Sequence, residues 1–276
     1  MRGGWNRLMV SARRFASDSS SDLLDAVTDR RCAGCRGPAE RRRPVCDACD
    51  AAIGRLGSVL CLRCLHGGDA EHSPTRAARD EGGCPRHGSS RLVLAGPAYE
   101  SPLDAIVRAF KYEGNSHLAP WVASLVPPPP ALRESFGREA LLVPVPLHPA
   151  RRASRGYDQA HLLAECLGRW WGVPVAPLLE RRRESSPQAR LDSAARRGTM
   201  EAAFRLRTEA RSLAHGRPLL LVDDVVTTGT TLLAAAQVAE EAGPAWILAL
   251  SAAHGGDPEG AQSSAHAKVA APGGLC

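Results

Sequence analysis

The stretch LLLVDDVVTTGTT, residues 219–231, places two adjacent carboxylates, Asp223 and Asp224, at the end of an apolar run and follows them with four threonines around one glycine. Such a run reads as a buried parallel strand, and ligands in open α/β sheets sit beyond the carboxyl ends of such strands. The loop that begins with Val225 and Val226 and continues through Thr227, Thr228, Gly229, Thr230 and Thr231 would turn amides and hydroxyls toward one point. That point lies at the positive end of a helix starting near Gly229. The arrangement suits a monophosphate. The carboxylates suit a vicinal diol, or a divalent cation with its waters. Phosphate and diol side by side describe a ribose 5-phosphate. A simple helix cap would need one acid and no threonine run, and a Walker-type loop would need a Gly-Lys-Thr sequence.

A second chemistry lies upstream. Cys32 and Cys35 form one pair with two residues between them, and Cys46 and Cys49 form another about ten residues on. Four thiolates in this spacing make a zinc-ribbon site. Cys61 and Cys64 begin a second set, completed by Cys84 and by His87 where a fourth cysteine would be expected. Three sulfurs and an imidazole are also a closed structural shell, so zinc at one or both sites would fold the segment and leave no open position for catalysis. Disulfides would need an oxidising compartment, and nothing in the chain indicates secretion. A redox CxxC would sit at a helix start in a βαβ context, which is missing here. Cys166, on an amphipathic stretch, reads as core.

The elements that must position these groups follow from pattern. RLVLAG (91–96), LLVPVPL (141–147), PLLLVDD (218–224) and AWILALS (245–251) read as strands. SPLDAIVRAFKY (101–112), YDQAHLLAECLGRWWG (157–172) and GTTLLAAAQVAEEAG (229–243) read as helices, the last stopped by Gly243-Pro244. Strands alternating with helices predict an α/β fold with a parallel sheet. The expected organisation is an N-terminal extension without fixed structure (1–31), a double zinc ribbon (32–90), an α/β domain (91–252) and a Gly/Ala/Ser-rich disordered tail (253–276). PPPP (127–130) marks a surface loop.

The 276 residues suffice for one domain and a smaller partner. Aromatics are only 4% of the chain, so the core must rest on Leu, Val and Ala. The net charge of +6 comes from arginine, since Lys111 and Lys268 are the only lysines. Arginine forks suit phosphates, although GC-rich coding would give the same bias. No apolar run is long enough to cross a membrane, and the first 31 residues lack the apolar region of a secretory signal, so a cytoplasmic protein without membrane insertion is expected.

Residues 219–231 resemble the phosphoribosyl pyrophosphate (PRPP) signature of the type I phosphoribosyltransferases. From Cys32 to about residue 252 the chain resembles the ComF family of double zinc ribbon and phosphoribosyltransferase proteins. The resemblance runs in order through the cysteine pairs, Phe110-Lys111-Tyr112, LLVPVPLHPARRASRGYDQA, RRRESSPQARLDSAARRGTMEAAF and LLLVDDVVTTGTT. It implies a type I phosphoribosyltransferase-like parallel sheet flanked by helices, with the ribbons N-terminal to it. VPVPLHPARR (143–152) would be the pyrophosphate loop, contributing Pro146, Leu147, Arg151 and Arg152. Residues 181–197 would be a closing loop, with Arg181, Arg183 and Arg190 available to polyphosphate, and Lys111 would join the site. Asp223 and Asp224 would hold the ribose diol, and magnesium would accompany PRPP. Asp158 stands where the family more commonly has asparagine, Ser185 replaces a threonine and Thr199 an asparagine. Two functions are implied. One is transfer of ribose 5-phosphate to an acceptor with release of pyrophosphate. The other is handling of single-stranded DNA in competence, with the ribbons and Arg41-Arg42-Arg43 on phosphates, a competence-machinery partner, and a regulatory PRPP site. The near absence of aromatics in the ribbon block weighs against base stacking there.

Overall fold

The computed structural model describes residues 31–40, 43–55, 57–67, 84, 87, 91–129, 139–181 and 203–255. The strands are β1 (Ser58–Cys61), β2 (Leu92–Ala95), β3 (Leu141–Pro144), β4 (Leu179–Arg181), β5 (Phe204–Leu206), β6 (Pro218–Val226) and β7 (Trp246–His254). The helices are α1 (Asp47–Ala52), α2 (Leu103–Tyr112), α3 (Ala119–Ala123), α4 (Pro149–Arg155), α5 (Gln159–Trp171), α6 (Ala210–Ala214) and α7 (Thr230–Glu240).

Five strands form one sheet in the order β1-β2-β7-β6-β3. The four strands β2, β7, β6 and β3 are parallel, and β1 joins the edge antiparallel to β2. β4 and β5 pair as a separate antiparallel ribbon. The sheet is buried on both faces, and the two-residue period of a strand sorts its side chains. Leu92, Leu94, Leu142, Leu220, Val222, Leu248 and Leu250 pack with α2, α3 and α5. Val93, Ala95, Leu141, Val143, Leu219, Leu221 and Ala249 pack with α6, α7 and the β4–β5 ribbon. This is the expected α/β architecture of a mainly parallel sheet flanked by helices, with the cysteine clusters toward the N-terminus.

Several expected boundaries move. β6 runs two residues past the acidic pair because β7 extends to His254 and supplies partners, Ala253 for Val225 and His254 for Val226. The phosphate-type loop is therefore only Thr227–Gly229, with α7 starting at Thr230. β3 stops at Pro144, short of the expected 147. Pro149 then starts α4, so the second half of the expected pyrophosphate loop is helical. The signals are local: Pro fits the first helical turn, the His148 ring accepts from the Ala150 amide at 3.3 Å, and Gly156 closes the helix at φ 79°. Of the proline run, Pro127 is buried, so this loop does not lie wholly on the surface. Residues 1–30, most of 68–90, 182–202 and 256–276 lie outside the described residues, and with them the N-terminal extension, the tail, Arg41, Arg42, Arg183, Arg190, Ser185 and Thr199.

Candidate functional site at the carboxyl end of the sheet

Asp223 and Asp224 lie near the end of the longest parallel pair. Asp223 sits opposite Ser251, whose buried hydroxyl donates to the Asp224 carbonyl at 3.2 Å and to the Ala253 carbonyl at 2.8 Å. The strand alternation sends the two carboxylates to opposite sides. Asp224 meets Lys111 at the end of α2, Oδ1 to Nζ 2.8 Å, with side chains only 11% and 18% exposed. Burial opposes the Lys111 charge, but Asp224 and then Asp223 outweigh it and hold the ammonium above its ordinary range. Asp223 keeps some surface but is closely surrounded. Desolvation first, and the Asp224 carboxylate second, push it up to about 7, against the pull of the Asp224 amide and Lys111.

Three sequence stretches meet here. The Phe110 carbonyl accepts from the Tyr157 hydroxyl, and the two rings lie 5.8 Å apart. The Arg155 guanidinium covers the Tyr112 ring at 4.6 Å. Phe110-Lys111-Tyr112 therefore ties α2 both to the acidic pair and to the Arg155–Asp158 turn. Asp158 caps α5 by accepting from the His161 amide at 3.3 Å, and its other oxygen takes the Leu147 amide at 3.1 Å. Its role is to hold the 145–148 loop. An asparagine there has one acceptor oxygen, so its amide nitrogen could not take the second of these two N–H groups.

In the loop after β6, Thr227, Thr228 and Thr230 are exposed, Thr231 is half-buried, and the Thr228 and Thr230 hydroxyls lie 2.9 Å apart. Gly229 has φ 70°, and a Cβ there would come within 2.2 Å of the Leu62 carbonyl oxygen. Only glycine meets both demands. Val225 and Val226 contribute backbone to the sheet, and the Val226 side chain is core.

A cavity of about 710 Å³ opens between the 146–149 turn and the β4–β5 ribbon, lined by Pro146, Leu147, Arg152, Asp158, Arg181, Arg205 and Arg207 among others. Pro146, Leu147, Arg152 and Arg181 were expected at an anion site. Arg151 does not line the cavity. Arg205 and Arg207 were not singled out in the sequence. Arg205 is the middle residue of three-residue β5 and Arg207 follows the strand directly, and so short a strand has no periodic signal. Arg205 pairs with Glu180 at 2.6 Å, and Arg181 lies over Phe204 at 5.1 Å. Asp158 lines the cavity, and its neighbour Tyr157 is bonded to Phe110, next to the Lys111 that pairs with Asp224.

Both cysteine sets are assembled: in Cys32, Cys35, Cys46 and Cys49, and in Cys61, Cys64, Cys84 and His87, the ligand atoms all lie within 4.8 Å of one another. A tetrahedral ion with Zn–S bonds of ~2.3 Å requires sulfurs ~3.8 Å apart. Cys35 to Cys46 is 3.7 Å, Cys64 to Cys84 is 3.6 Å, and the His87 Nδ1 lies 3.8 Å from Cys61 Sγ and 3.5 Å from Cys84 Sγ. Disulfide sulfurs would lie at ~2.05 Å. Amides support the first sulfur of each set, from Gly34 and Cys46 to Cys32 at 3.3 Å and from Arg63 to Cys61 at 3.4 Å. For Cys32, burial is outweighed by these backbone donors and the thiol falls to about 6; for Cys49, burial and then the neighbouring sulfurs raise it to about 12. Four thiols in one shell cannot all ionise unless a cation offsets their repulsion. Both sets could hold zinc. Cys166 is on the buried face of α5 and belongs to the core.

A mainly parallel sheet, an acidic pair with a threonine loop at its carboxyl end, and two cysteine clusters that could hold zinc define an α/β protein. The comparisons place it further. No protein-family model matches the chain. Competence protein F of Haemophilus influenzae is 29% identical over 216 residues, 73% of this chain and 87% of that protein. DNA utilization protein YhgH of Escherichia coli K12 is 31% identical over 205 residues, 70% and 83%. Competence protein ComFC of Bacillus subtilis is 39% identical over 106 residues, 38% and 40%. The chain belongs to the ComF family. A solved structure of the allosteric regulatory enzyme of purine biosynthesis overlaps 51% of this chain and 26% of its own at 15% identity and a TM-score of 0.33, too remote to bear on function. Among the described residues no helix is long and apolar enough to cross a membrane.

Proposed function

We propose that the site binds PRPP, or a closely related phosphosugar, with magnesium, and that it transfers the ribose 5-phosphate to an acceptor with release of pyrophosphate. The observation that carries this reading is the continuity of two subsites through the Tyr157–Asp158 turn, in which Asp158 takes the Leu147 amide and lines the cavity while the Tyr157 hydroxyl donates to Phe110, next to the Lys111 that pairs with Asp224. On one side lie the acidic pair and the threonine loop, and on the other the arginine-lined cavity.

In this reading the 5-phosphate takes the amides and hydroxyls of Thr227–Thr231 at the start of α7. Asp223 and Asp224 accept from the ribose hydroxyls, with Lys111 paired to Asp224. Arg152 and Arg181, with Arg205 and Arg207, offset charge on the pyrophosphate as it leaves. One or two carboxylates beside a phosphate ligand are what magnesium uses when it keeps most of its waters, so the acidic pair fits the ion. Bound with PRPP, it would neutralise the pyrophosphate. Arg183 and Arg190, outside the described residues, belong by sequence to a loop that would close over the cavity and exclude water.

Calorimetric titration with PRPP, with and without magnesium, tests this. Magnesium-dependent binding that Asp223→Ala/Asp224→Ala abolishes supports it; no binding by the intact protein overturns it. A second reading is favoured by the names of the relatives: a cytoplasmic DNA-handling protein whose arginines take single-strand phosphates, with the phosphosugar as regulator. It predicts single-strand binding that weakens steeply with salt, and salt-insensitive or undetectable binding sinks it.

A further inference from the structure

The second cysteine cluster is built into the phosphate-type loop. Its knuckle, Cys61-Leu62-Arg63-Cys64, leaves the edge of the sheet at the end of β1. The Leu62 carbonyl then presses on Gly229 so closely that a Cβ on the glycine would stand 2.2 Å from the oxygen, 3.0 Å from the carbonyl carbon and 3.3 Å from the Leu62 Cα. The Leu62 side chain is 2% exposed and shares a core with Val226 and Leu232, which flank the loop, and Leu65 packs against the same core. Leu65 itself is held at φ 54°, where a branched side chain is strained, by its amide on the Cys61 carbonyl at 2.8 Å. The Leu62 amide donates to Arg91 at 3.0 Å, and the Arg91 guanidinium forms a two-pronged pair with Glu240, the last residue of α7, at 3.0 and 2.7 Å. The knuckle thus touches the start of α7 directly, at Gly229 by backbone packing, and reaches its end at Glu240 through Arg91.

We propose that the Cys61–Cys64 knuckle is a positioning element of the anion site. The Leu62 backbone is the wall on which Gly229 seats, and the metal held by Cys61, Cys64, Cys84 and His87 is energetically coupled to occupancy of the 227–231 loop. This rests on the phosphosugar reading for the identity of the ligand, but not for the coupling itself. The metal fixes the knuckle turn, and the turn fixes the loop. Coupling between two sites is reciprocal, so a ligand in the loop must in turn tighten the metal.

Each cluster has one exposed ligand, Cys35 in the first and His87 in the second, which makes a matched pair of variants. Cys35→Ser and His87→Ala are compared with wild type by zinc content, by hydrogen exchange of the amides of residues 227–233, and by PRPP titration. The expected result is that each variant loses one zinc and that only His87→Ala loses loop protection and PRPP affinity, each about ten-fold or more. If three thiolates still hold the ion in His87→Ala, Cys64→Ser supplies the comparison; if Cys64→Ser does not fold, wild type does. In wild type, PRPP is expected to slow release of one of two zincs to a chromogenic chelator several-fold. Equal loop protection in the two variants after loss of their zinc overturns the coupling, as does zinc release indifferent to bound PRPP. A wild type that binds no PRPP, while loss of the second zinc still exposes the loop, overturns the phosphosugar reading and leaves the coupling standing.

Discussion

Arg36 in the first cluster and Leu65 in the second occupy the same place, directly after the second cysteine of a pair, at φ 63° and 54°. In both, that residue's amide donates to the first cysteine's carbonyl, at 2.9 and 2.8 Å. The first cysteine's amide takes the carbonyl of Gly37 or His66, at 2.8 and 3.0 Å. The knuckles are local copies, yet they hold different things. The first lies on one face of the sheet. A Cβ on Gly34 would sit 3.3 Å from Pro102 and 3.4 Å from Ile106 in the first turns of α2, and Asp50 of α1 accepts from the Trp121 indole of α3 at 3.0 Å. The second straddles the sheet edge, with Cys61 in the α2-side core and Leu62 in the α7-side core. One cluster therefore braces the helix that carries Lys111, and the other braces the loop after the acidic pair. A local motif does not determine what a metal does; the element packed against its turn does.

The widest way to break this comparison is to remove a buried ligand of the first cluster. Cys32 is fully buried against the core that includes Ile106 and Phe110. Cys32→Ser is expected to cost more than about 4 kcal/mol, since a structural zinc supplies folding energy outright. Urea unfolding should show a lost or strongly shifted transition, with exchange protection lost across α2 before α7. Loss spread evenly over both helices would mean that the two clusters are one unit.

The second expected effect is pH dependence on the loop side. Asp223 is raised from 3.8 to about 7. Below 3.8 both folded and unfolded chains hold the proton. Between 3.8 and about 7 only the unfolded chain ionises, so stability falls as pH rises; above about 7 the loss is complete. The full loss is on the order of 4 kcal/mol at 1.36 kcal/mol per pH unit. Measured from pH 5 to pH 8, the stability difference between wild type and Asp223→Asn should shift in favour of the variant. A flat difference would show that the carboxyl ionises freely.

Gly229→Ala comes third. It places a Cβ against the Leu62 carbonyl and asks alanine for φ 70°, which together are expected to cost about 2–3 kcal/mol. Because the clash is with the second knuckle, the variant should also loosen the second zinc and leave the first. Metal analysis during mild chelation reads this directly, and two zincs held as in wild type would separate the loop from the cluster.

Much of this was legible from residue types. Both ligand sets, the acidic pair, the strands β2, β3, β6 and β7 and the helices α2, α5 and α7 have strong periodic or spacing signals. What was not legible depends on pairing or on a missing apolar face. β1 is four residues inside a cysteine block and exists because β2 offers an edge. β4 and β5 are three residues each and form only through their mutual pairing, which brings Arg181 at the end of β4 and Arg205, with Arg207 just after β5, to one cavity. α4 buries no side chain, so no hydrophobic period announces it. The Leu62–Gly229 contact joins positions far apart in the chain, and glycine signals only that something comes close.

The smallest effect is expected where the first cluster meets the far end of α2. Arg36, the strained knuckle residue, pairs with Glu113 just beyond the helix, but the side chains are 54% and 40% exposed. The pair lowers the Glu113 proton affinity, chiefly through the hydrogen bond. Solvent screening nevertheless leaves such pairs worth about 0.5 kcal/mol or less. Glu113→Gln should therefore shift the unfolding midpoint barely and leave both zincs and PRPP affinity unchanged. Arg36→Gly should go the other way and stabilise slightly, because the left-handed backbone is then free of strain while the turn hydrogen bonds remain. If Glu113→Gln instead weakened PRPP binding, the charge would be steering Lys111. The first cluster would then reach the site through α2 as directly as the second does through Gly229.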